Sequence, residues 1–374
     1  MATLDFCASI EDYRQLAREK LPKILFEYID GGAYAEETLR RNVEAFGHVT
    51  LTQRIMVDVS KVDSRVTLFG ESLAYPVICA PVGFAGMYAR RGEAQAARAA
   101  KAAGIPFCLS TVGICSVEEV AATGQAPWFQ LYMIKDRDWI AKLLQRATDS
   151  GCKVLVLTGD LQTPGTRYRD IRSGMMRELD ALGKVRRAIE GLRKAQWTYD
   201  VYLKGRPHSF GNIAGVLPPN ASFAASWIWI GTNFDPSVSW DDLAFIRQHW
   251  KGPIILKGVM CVEDAKRARD HGIDGIVVSN HGGRQLDGGA ASLTVLPEIA
   301  HAVGDELSVL MDGGVRSGID VVKAINAGAR ACMIGRPWAY ALAAGGQAGV
   351  ARMLTGLQSE IRAAQVLSAR LTLG

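Results

Sequence analysis

Short runs of β-branched and other apolar residues recur along the chain, each ending in Gly, Ser, Thr, Asn or another polar residue, and they predict strands. They are PVICA (76–80), PFCLS (106–110), PWFQLY (127–132), KVLVLT (153–158), PIILKG (253–258), DGIVVSN (274–280), LSVLMDG (307–313) and ARACMIG (329–335). Between most neighbours lies an Ala-, Glu-, Lys- and Arg-rich stretch with helical spacing, such as GEAQAARAAKAAG (92–104), DWIAKLLQRATDSG (138–151), VEDAKRARDHG (262–272) and GIDVVKAINAG (318–328). Several close on Gly, as helix C-termini do. Eight strands alternating with helices predict a (β/α)8 TIM barrel.

The interval between the fourth and fifth runs breaks the rhythm. It spans about 100 residues, so roughly 70, about 165–240, are inserted after the fourth strand, at what would be the catalytic end of the barrel. Its centre carries eight basic residues (Arg177, Lys184, Arg186, Arg187, Arg193, Lys194, Lys204, Arg206) against four acidic ones (Glu178, Asp180, Glu190, Asp200), with Trp197, Tyr199 and Tyr202 interleaved. This mixture suits a membrane interface over about 178–206; a solvated flap or subunit contact is the plainer reading. Before the barrel, ASIEDYRQLAREKLPKILFEYIDGG predicts one or two helices, broken at Pro22 and stopped at Gly31 and Gly32. Residues 1–75 are therefore expected to form an N-terminal helical cap on a barrel of 76–374, within one domain of 374 residues.

The composition, 48% hydrophobic and 22% charged, is that of a globular protein and rules out disorder, collagen and coiled coil. Lys plus Arg number 43 against 38 Asp plus Glu, an excess of +5 that is too small and too evenly spread for nucleic acid but leaves room for an anionic substrate or membrane surface. The seven cysteines contain no CxxC, so neither a disulfide framework nor a zinc site is supported, and buried thiols in a reducing cytosol are expected. No run approaches the ~18 apolar residues of a transmembrane helix, so the expected protein is soluble or at most peripheral. A metal is not expected, because the clustered His281 and Asp287 lack ligand spacing.

Catalytic residues of this fold occupy the C-terminal ends of strands, and a phosphate often binds after strands seven and eight. Strand seven runs into MDGGVRSG, with Asp312, Gly313, Gly314 and Arg316, and strand eight into IGRP, with Gly335 and Arg336. Glycines that admit close backbone approach, helix N-termini and two arginines together predict a phosphorylated ligand. Strand six ends in SNHGGRQLD, placing His281, a base at neutral pH, beside Arg284, a carboxylate clamp. Strand four ends in LTGD, where Asp160 can orient an imidazolium, with Arg167 seven residues on. One carboxylate, one histidine and two arginines at one rim describe proton abstraction from an anionic substrate. Strand three offers Gln130 and Tyr132 for ligand oxygens. Lys257, at the end of strand five, needs a buried partner, either a cofactor that gains negative charge on reduction or a strand carboxylate.

The ordered combination SNHGGRQ, MDGGVR and IGR resembles the FMN-dependent 2-hydroxy-acid oxidising enzymes, the group of glycolate oxidase, lactate oxidase and mandelate dehydrogenase. Within that group YIDGGAYAEETLRRN, PVGFAGMYARRGE, TPGTRYRDIRSGM, GRPHSFGN and NFDPSVSW look most like the bacterial respiratory L-lactate dehydrogenases. The resemblance implies His281 as base with Asp160 as its partner, Arg284, Arg167 and Tyr28 on the substrate carboxylate, and Tyr132 near the reacting hydroxyl. For FMN it implies Val82 and Gly83 against the ring and Ser110, Gln130, Thr158 and Lys257 along its polar edge. The phosphate would lie on Asp312, Gly313, Gly314, Arg316, Gly335 and Arg336.

The implied reaction converts L-lactate to pyruvate. His281 takes the hydroxyl proton as the α-hydrogen leaves as hydride, or takes the α-proton first, and the electrons pass to a quinone or other respiratory acceptor. A homotetramer on the cytoplasmic face of the inner membrane is implied as well. A soluble oxidase using oxygen, or a dehydrogenase for a larger acid such as mandelate, is the near alternative. A flavin-free barrel isomerase of a phosphorylated substrate is the distant one. One departure from the family pattern stands out: Gly159 lies between Thr158 and Asp160, where a β-branched residue is usual. It could loosen Asp160 or make room for a neighbour.

Overall fold

The computed structural model describes residues 4–175, 180–217 and 223–373. All eight expected strands are present: β1 (Val77–Cys79), β2 (Cys108–Ser110), β3 (Trp128–Tyr132), β4 (Leu155–Thr158), β5 (Ile254–Val259), β6 (Gly275–Val278), β7 (Ser308–Asp312) and β8 (Ala331–Ile334). They pair in parallel in the order β1-β8-β7-β6-β5-β4-β3-β2. A parallel bridge between Cys79 and Phe107 joins the two ends and closes the barrel. Helices cover the outside and side chains fill the inside, so the strands are buried on both faces, which is why they read as continuous apolar runs rather than alternating ones.

The expected helices form over Gly92–Ala102, Arg137–Asp149, Val262–Asp270 and Gly318–Asn326. Ser9 and Asp12 close a reciprocal capping box at the start of helix Ile10–Lys20, and after Pro22 a second helix, Lys23–Asp30, runs to Gly31. Residues 4–75 pack in three places. Ile10–Lys20 packs on the long C-terminal helix Arg336–Leu367, whereas Lys23–Asp30 and Glu37–Glu44 lie at the mouth. An antiparallel hairpin, Val66–Leu68 with Glu71–Leu73, plugs the opposite end: Phe69 packs edge-on against Trp128 at 5.8 Å, and Glu71 accepts a hydrogen bond from the Trp128 indole at 3.1 Å.

The chain between β4 and β5 folds into helices Tyr168–Ser173, Ala181–Arg193, Phe223–Asn233 and Asp242–His249, with a π turn over Thr198–Leu203. Asp242–His249 stands where the barrel's own helix belongs, burying Leu243 and Ile246. The rest crosses the mouth and rests on the first barrel loop, where the Trp197 indole donates to the Met87 carbonyl at 2.8 Å. Arg177 and Glu178 lie outside the described residues, as do the side chains of Lys184 and Arg186. Six of the cysteines are buried and all seven are free thiols. Among the described residues no helix is long and apolar enough to cross a membrane, and no acidic, His or Cys cluster is suited to a metal.

Candidate active site

Strand register sets the floor of the site. Ser110 pairs with Gln130, Tyr132 with Thr158 and Thr158 with Lys257, so the C-terminal ends of β2 to β5 present their polar residues side by side. Ser110 Oγ donates to Gln130 Oε1 and Gln130 Nε2 donates to Thr158 Oγ1, both at 3.0 Å. Three buried polar side chains are thereby satisfied, at little of the cost that unpaired burial would carry.

Lys257 is buried, and its Nζ lies 3.0 Å from Asp312 Oδ2 and 2.9 Å from Ser279 Oγ. Ser279 in turn donates to Asp312 Oδ1 at 2.6 Å and accepts the His281 amide at 3.0 Å. Burial opposes the ammonium charge, but the carboxylates of Asp312 and Asp160 outweigh it and raise the Lys257 pKa, so the cation persists. The carboxylate of Asp312, expected at a phosphate, is instead held by Lys257 and Ser279. Ser279 was not singled out from the sequence, although it stands within the quoted SNHGGRQ.

His281 Nδ1 lies 3.0 Å from Asp160 Oδ1, so the ends of β6 and β4 bring the two side chains together. Burial lowers the His281 pKa, with Lys257 acting in the same sense and Asp160 against it, so the imidazole is neutral at pH 7. Asp160 stays ionised: its burial is outweighed by His281 and Lys257, and its carbonyl accepts from Gln285 at 2.7 Å. Gly258, with φ +113°, makes room, since a Cβ there would lie 2.7 Å from the Asp160 Cβ. At Gly159 a Cβ would meet the movable end of Leu256 at 3.3 Å, so the missing side chain leaves Asp160 in place and tolerates refilling.

Arg284 donates to the carbonyls of Tyr28 and Gly31 at 2.7 and 2.8 Å and lies over the Tyr28 ring at 4.7 Å. Arg167, almost fully buried, reaches the Arg284 carbonyl at 3.3 Å and approaches Asp170 at 3.6 Å. Burial and the neighbouring Arg284 lower the Arg167 pKa, against the pull of Tyr28 and Asp170. Tyr132 packs edge-on against Phe234 at 5.4 Å, and burial pushes its phenol up.

On the far wall Arg336 donates to the carbonyls of Gly282 and Gly31 at 3.0 and 2.7 Å, while its Nε is buried without a partner. Burial, with repulsion from Arg284 and Arg316 that Tyr340 only partly offsets, brings its pKa down to about 9. Arg316 hydrogen-bonds the Val315 carbonyl and engages no carboxylate side chain through its guanidinium among the described residues. Two of the glycines also admit a neighbouring helix. A Cβ on Gly314 would lie 1.9 Å from the Asn42 carbonyl oxygen and one on Gly283 2.5 Å from the Leu39 amide, so both make way for helix Glu37–Glu44.

One cavity of about 410 Å³ gathers these groups. Of the residues expected from sequence, Tyr28, Val82, Gly83, Tyr132, Thr158, Arg167, Lys257, His281, Arg284, Asp312, Gly313, Gly314, Arg316, Gly335 and Arg336 line it. Ser110, Gln130 and Asp160 stand behind the lining and act through Thr158 and His281. Ile228, Ile230 and Phe234, from the inserted segment, complete the rim; no chemical pattern marked them in the sequence.

A family model for FMN-dependent dehydrogenases matches residues 17–369. The chain belongs to that family. L-lactate dehydrogenase of Caulobacter sp. (strain K31) is 54% identical over 362 residues, covering 96% of this chain and 94% of the relative. That of Alcaligenes faecalis is 51% identical over 96% and 95%, and that of Serratia proteamaculans (strain 568) is 52% identical over 95% and 93%. Among solved structures, mandelate oxidase with (S)-4-hydroxymandelic acid superposes with a TM-score of 0.86 at 37% identity, covering 98% of this chain and 97% of that one.

The residues of the cavity fit the family's cofactor. The unpartnered Arg336 Nε and the crowded cations Arg284, Arg316 and Arg336 call for a dianion at one end. A protonated Lys257 and the Gln130–Thr158 chain offer donors along the floor, and FMN has a phosphate and a polar ring edge to match.

Proposed function

We propose that this FMN-dependent dehydrogenase oxidises L-lactate to pyruvate, with His281 as the base. One observation carries the reading: the His281–Asp160 pair and the two buried arginines 167 and 284 face the same cavity as the Arg316–Arg336 anion end. Arg167 and Arg284 hold the substrate carboxylate, with Tyr28 beside them, and Tyr132 directs the 2-hydroxyl. His281 removes a proton from the bound acid, and Asp160 stabilises the imidazolium that results. Val82 and Gly83, Ser110, Gln130, Thr158 and Lys257 would hold the ring of FMN, and Gly313, Gly314, Arg316, Gly335 and Arg336 its phosphate. When bound, FMN supplies the acceptor for the two electrons removed from the acid. The flavin-free isomerase reading falls with the family assignment.

The electrons pass to a quinone or other respiratory acceptor, and the insert meets the cytoplasmic face of the inner membrane. Support comes from helix Ala181–Arg193, where Val185, Ile189 and Leu192 are exposed on one face, with Arg187, Arg193 and Lys194 nearby. The assembly we propose is a homotetramer. The test is an anaerobic visible spectrum before and after L-lactate. Bleaching with L-lactate and not with D-lactate supports the reading, and a flavin that stays oxidised with L-lactate and bleaches with mandelate transfers it to the larger acid. Turnover with a quinone analogue against oxygen settles the acceptor.

A further inference from the structure

Helix Glu37–Glu44 turns a polar face inward. Thr38 and Asn42, one helical turn apart and so on one side, are 0% and 1% exposed, where an amphipathic helix ordinarily buries apolar side chains. Both are engaged by the loop that carries His281. Asp287 accepts the Thr38 amide at 2.8 Å and the Ala35 amide at 3.1 Å, capping the helix from outside, and the Thr38 hydroxyl accepts the Gly289 amide at 3.1 Å. Asn42 and Asn280 exchange two amide hydrogen bonds of 2.8 and 2.9 Å, and Asn42 Oδ1 also accepts the Ser292 amide at 3.2 Å.

What Asn280 holds is an unusual turn. The next three residues, His281, Gly282 and Gly283, have φ of +58°, +65° and +72°. Two are glycines and adopt the left-handed region freely, but His281 does not, and a strained residue persists only where its surroundings over-determine it. Asn280 Oδ1 accepts the Gly283 amide at 3.1 Å and closes the turn, with Asn42 fixing that oxygen from the other side. The backbone of Asn42 meanwhile seats on Gly314, so one residue touches the base loop and the loop after β7 together.

We propose that Asn42 is a positioning residue for the oxidation, locking the left-handed turn that aims His281 and setting it in register with the Gly313–Gly314 loop. The proposal rests on His281 being the base. An apolar residue at 42 would leave the Asn280 side-chain amide on the Ala290 carbonyl and the Gly283 amide alone, with one hydrogen bond lost at each end, and an aim lost by about 1 Å costs on the order of 100-fold in rate.

The test uses the FMN-loaded enzyme and three variants, Asn42→Ala, Asn42→Asp and the control His281→Gln. Asn42→Ala is expected to lower kcat about 10- to 100-fold with KM for L-lactate within about threefold, since the Arg284 guanidinium is held separately by the Tyr28 and Gly31 carbonyls. The groups facing His281 are Asp160, Lys257 and Asp312, and burial is the largest influence on it. A loosened turn that admits water therefore moves the acid limb of kcat/KM to higher pH, which a merely structural role does not. Asn42→Asp keeps the acceptor for Asn280 and Ser292 but loses the donor, and is expected between wild type and Asn42→Ala. A folded, FMN-replete Asn42→Ala with unchanged kcat and acid limb overturns the proposal; if that variant does not fold, the same result in Asn42→Asp does so. If His281→Gln itself reduces flavin normally, the base assignment has failed instead.

Discussion

The loop after β6 and the segment after β4 leave the same rim of the same barrel and could hardly differ more. From Ser279 to Ala291 the first is bound at nearly every turn: Ser279 to Lys257 and Asp312, Asn280 to Asn42, His281 to Asp160, and Asp287 to the first turn of a helix. The second is tied to the barrel at separate points, Asn212 to Ser110 and Val117, Phe234 to Tyr132 and Trp197 to Met87, and between them leaves Leu192 78% and Tyr199 57% exposed. A proton transfer tolerates little displacement, so the base is over-determined by buried polar bonds. The surface proposed to meet a membrane keeps its apolar side chains uncovered until contact.

The largest effect that would sharpen this contrast is at the base. In His281→Gln, FMN should remain bound while L-lactate bleaches it ~10²- to 10⁴-fold more slowly in stopped flow; near-normal bleaching would remove His281 from the chemistry. Lys257→Met comes next, since it strands the Asp312 carboxylate in a buried site. Breaking a buried pair costs about 3–5 kcal/mol, to be read as a lowered Tm, and an unchanged Tm would mean that the pair is not buried as described.

The pH profile is a subtler probe. A protonated His281 cannot accept a proton, and burial lowers its pKa from 6.5, so kcat/KM should fall only as pH drops below 6.5. Asp160→Asn removes a carboxylate that supports the imidazolium, so the acid limb should shift to still lower pH and the plateau should drop. A limb above 6.5 in wild type contradicts the burial of His281. On the exposed side, changing Val185, Ile189 and Leu192 together to Ser should alter stability by no more than about 0.5 kcal/mol per site and leave bleaching intact, yet release the protein from anionic vesicles. Failure of the wild type to pellet with such vesicles would make the insert a lid or subunit contact. The smallest effect is expected of Gly159→Val, within about 1 kcal/mol in chemical unfolding, because Leu256 has room to give.

Much of this was legible in the chain because it depends on short-range rules. Parallel strands buried on both faces announce themselves as apolar runs, and in a barrel the residues that end them converge at one rim whatever the loops do. For that reason His281, Asp160, Arg284, Arg167 and Lys257 could be placed together from sequence order alone. That helix Glu37–Glu44 packs on Gly283 and Gly314 was not legible. A missing Cβ tells that something comes close and never what.

Periodicity and strand ends are local properties, so the barrel, its breaks and the chemistry available at its mouth are written along the chain. The partners of each group were decided only in three dimensions. Lys257 lies on β5 and Asp312 ends β7, two strands on, in no pattern a periodicity reveals, yet the barrel sets their charges 3.0 Å apart. Asn42, an unremarked polar residue of the N-terminal segment, meets Asn280 across 238 residues of chain. Buried polar groups must find partners wherever the fold supplies them, and those pairings, which aim the base and hold the cavity's charges, are properties of the packed molecule and not of any window of its sequence.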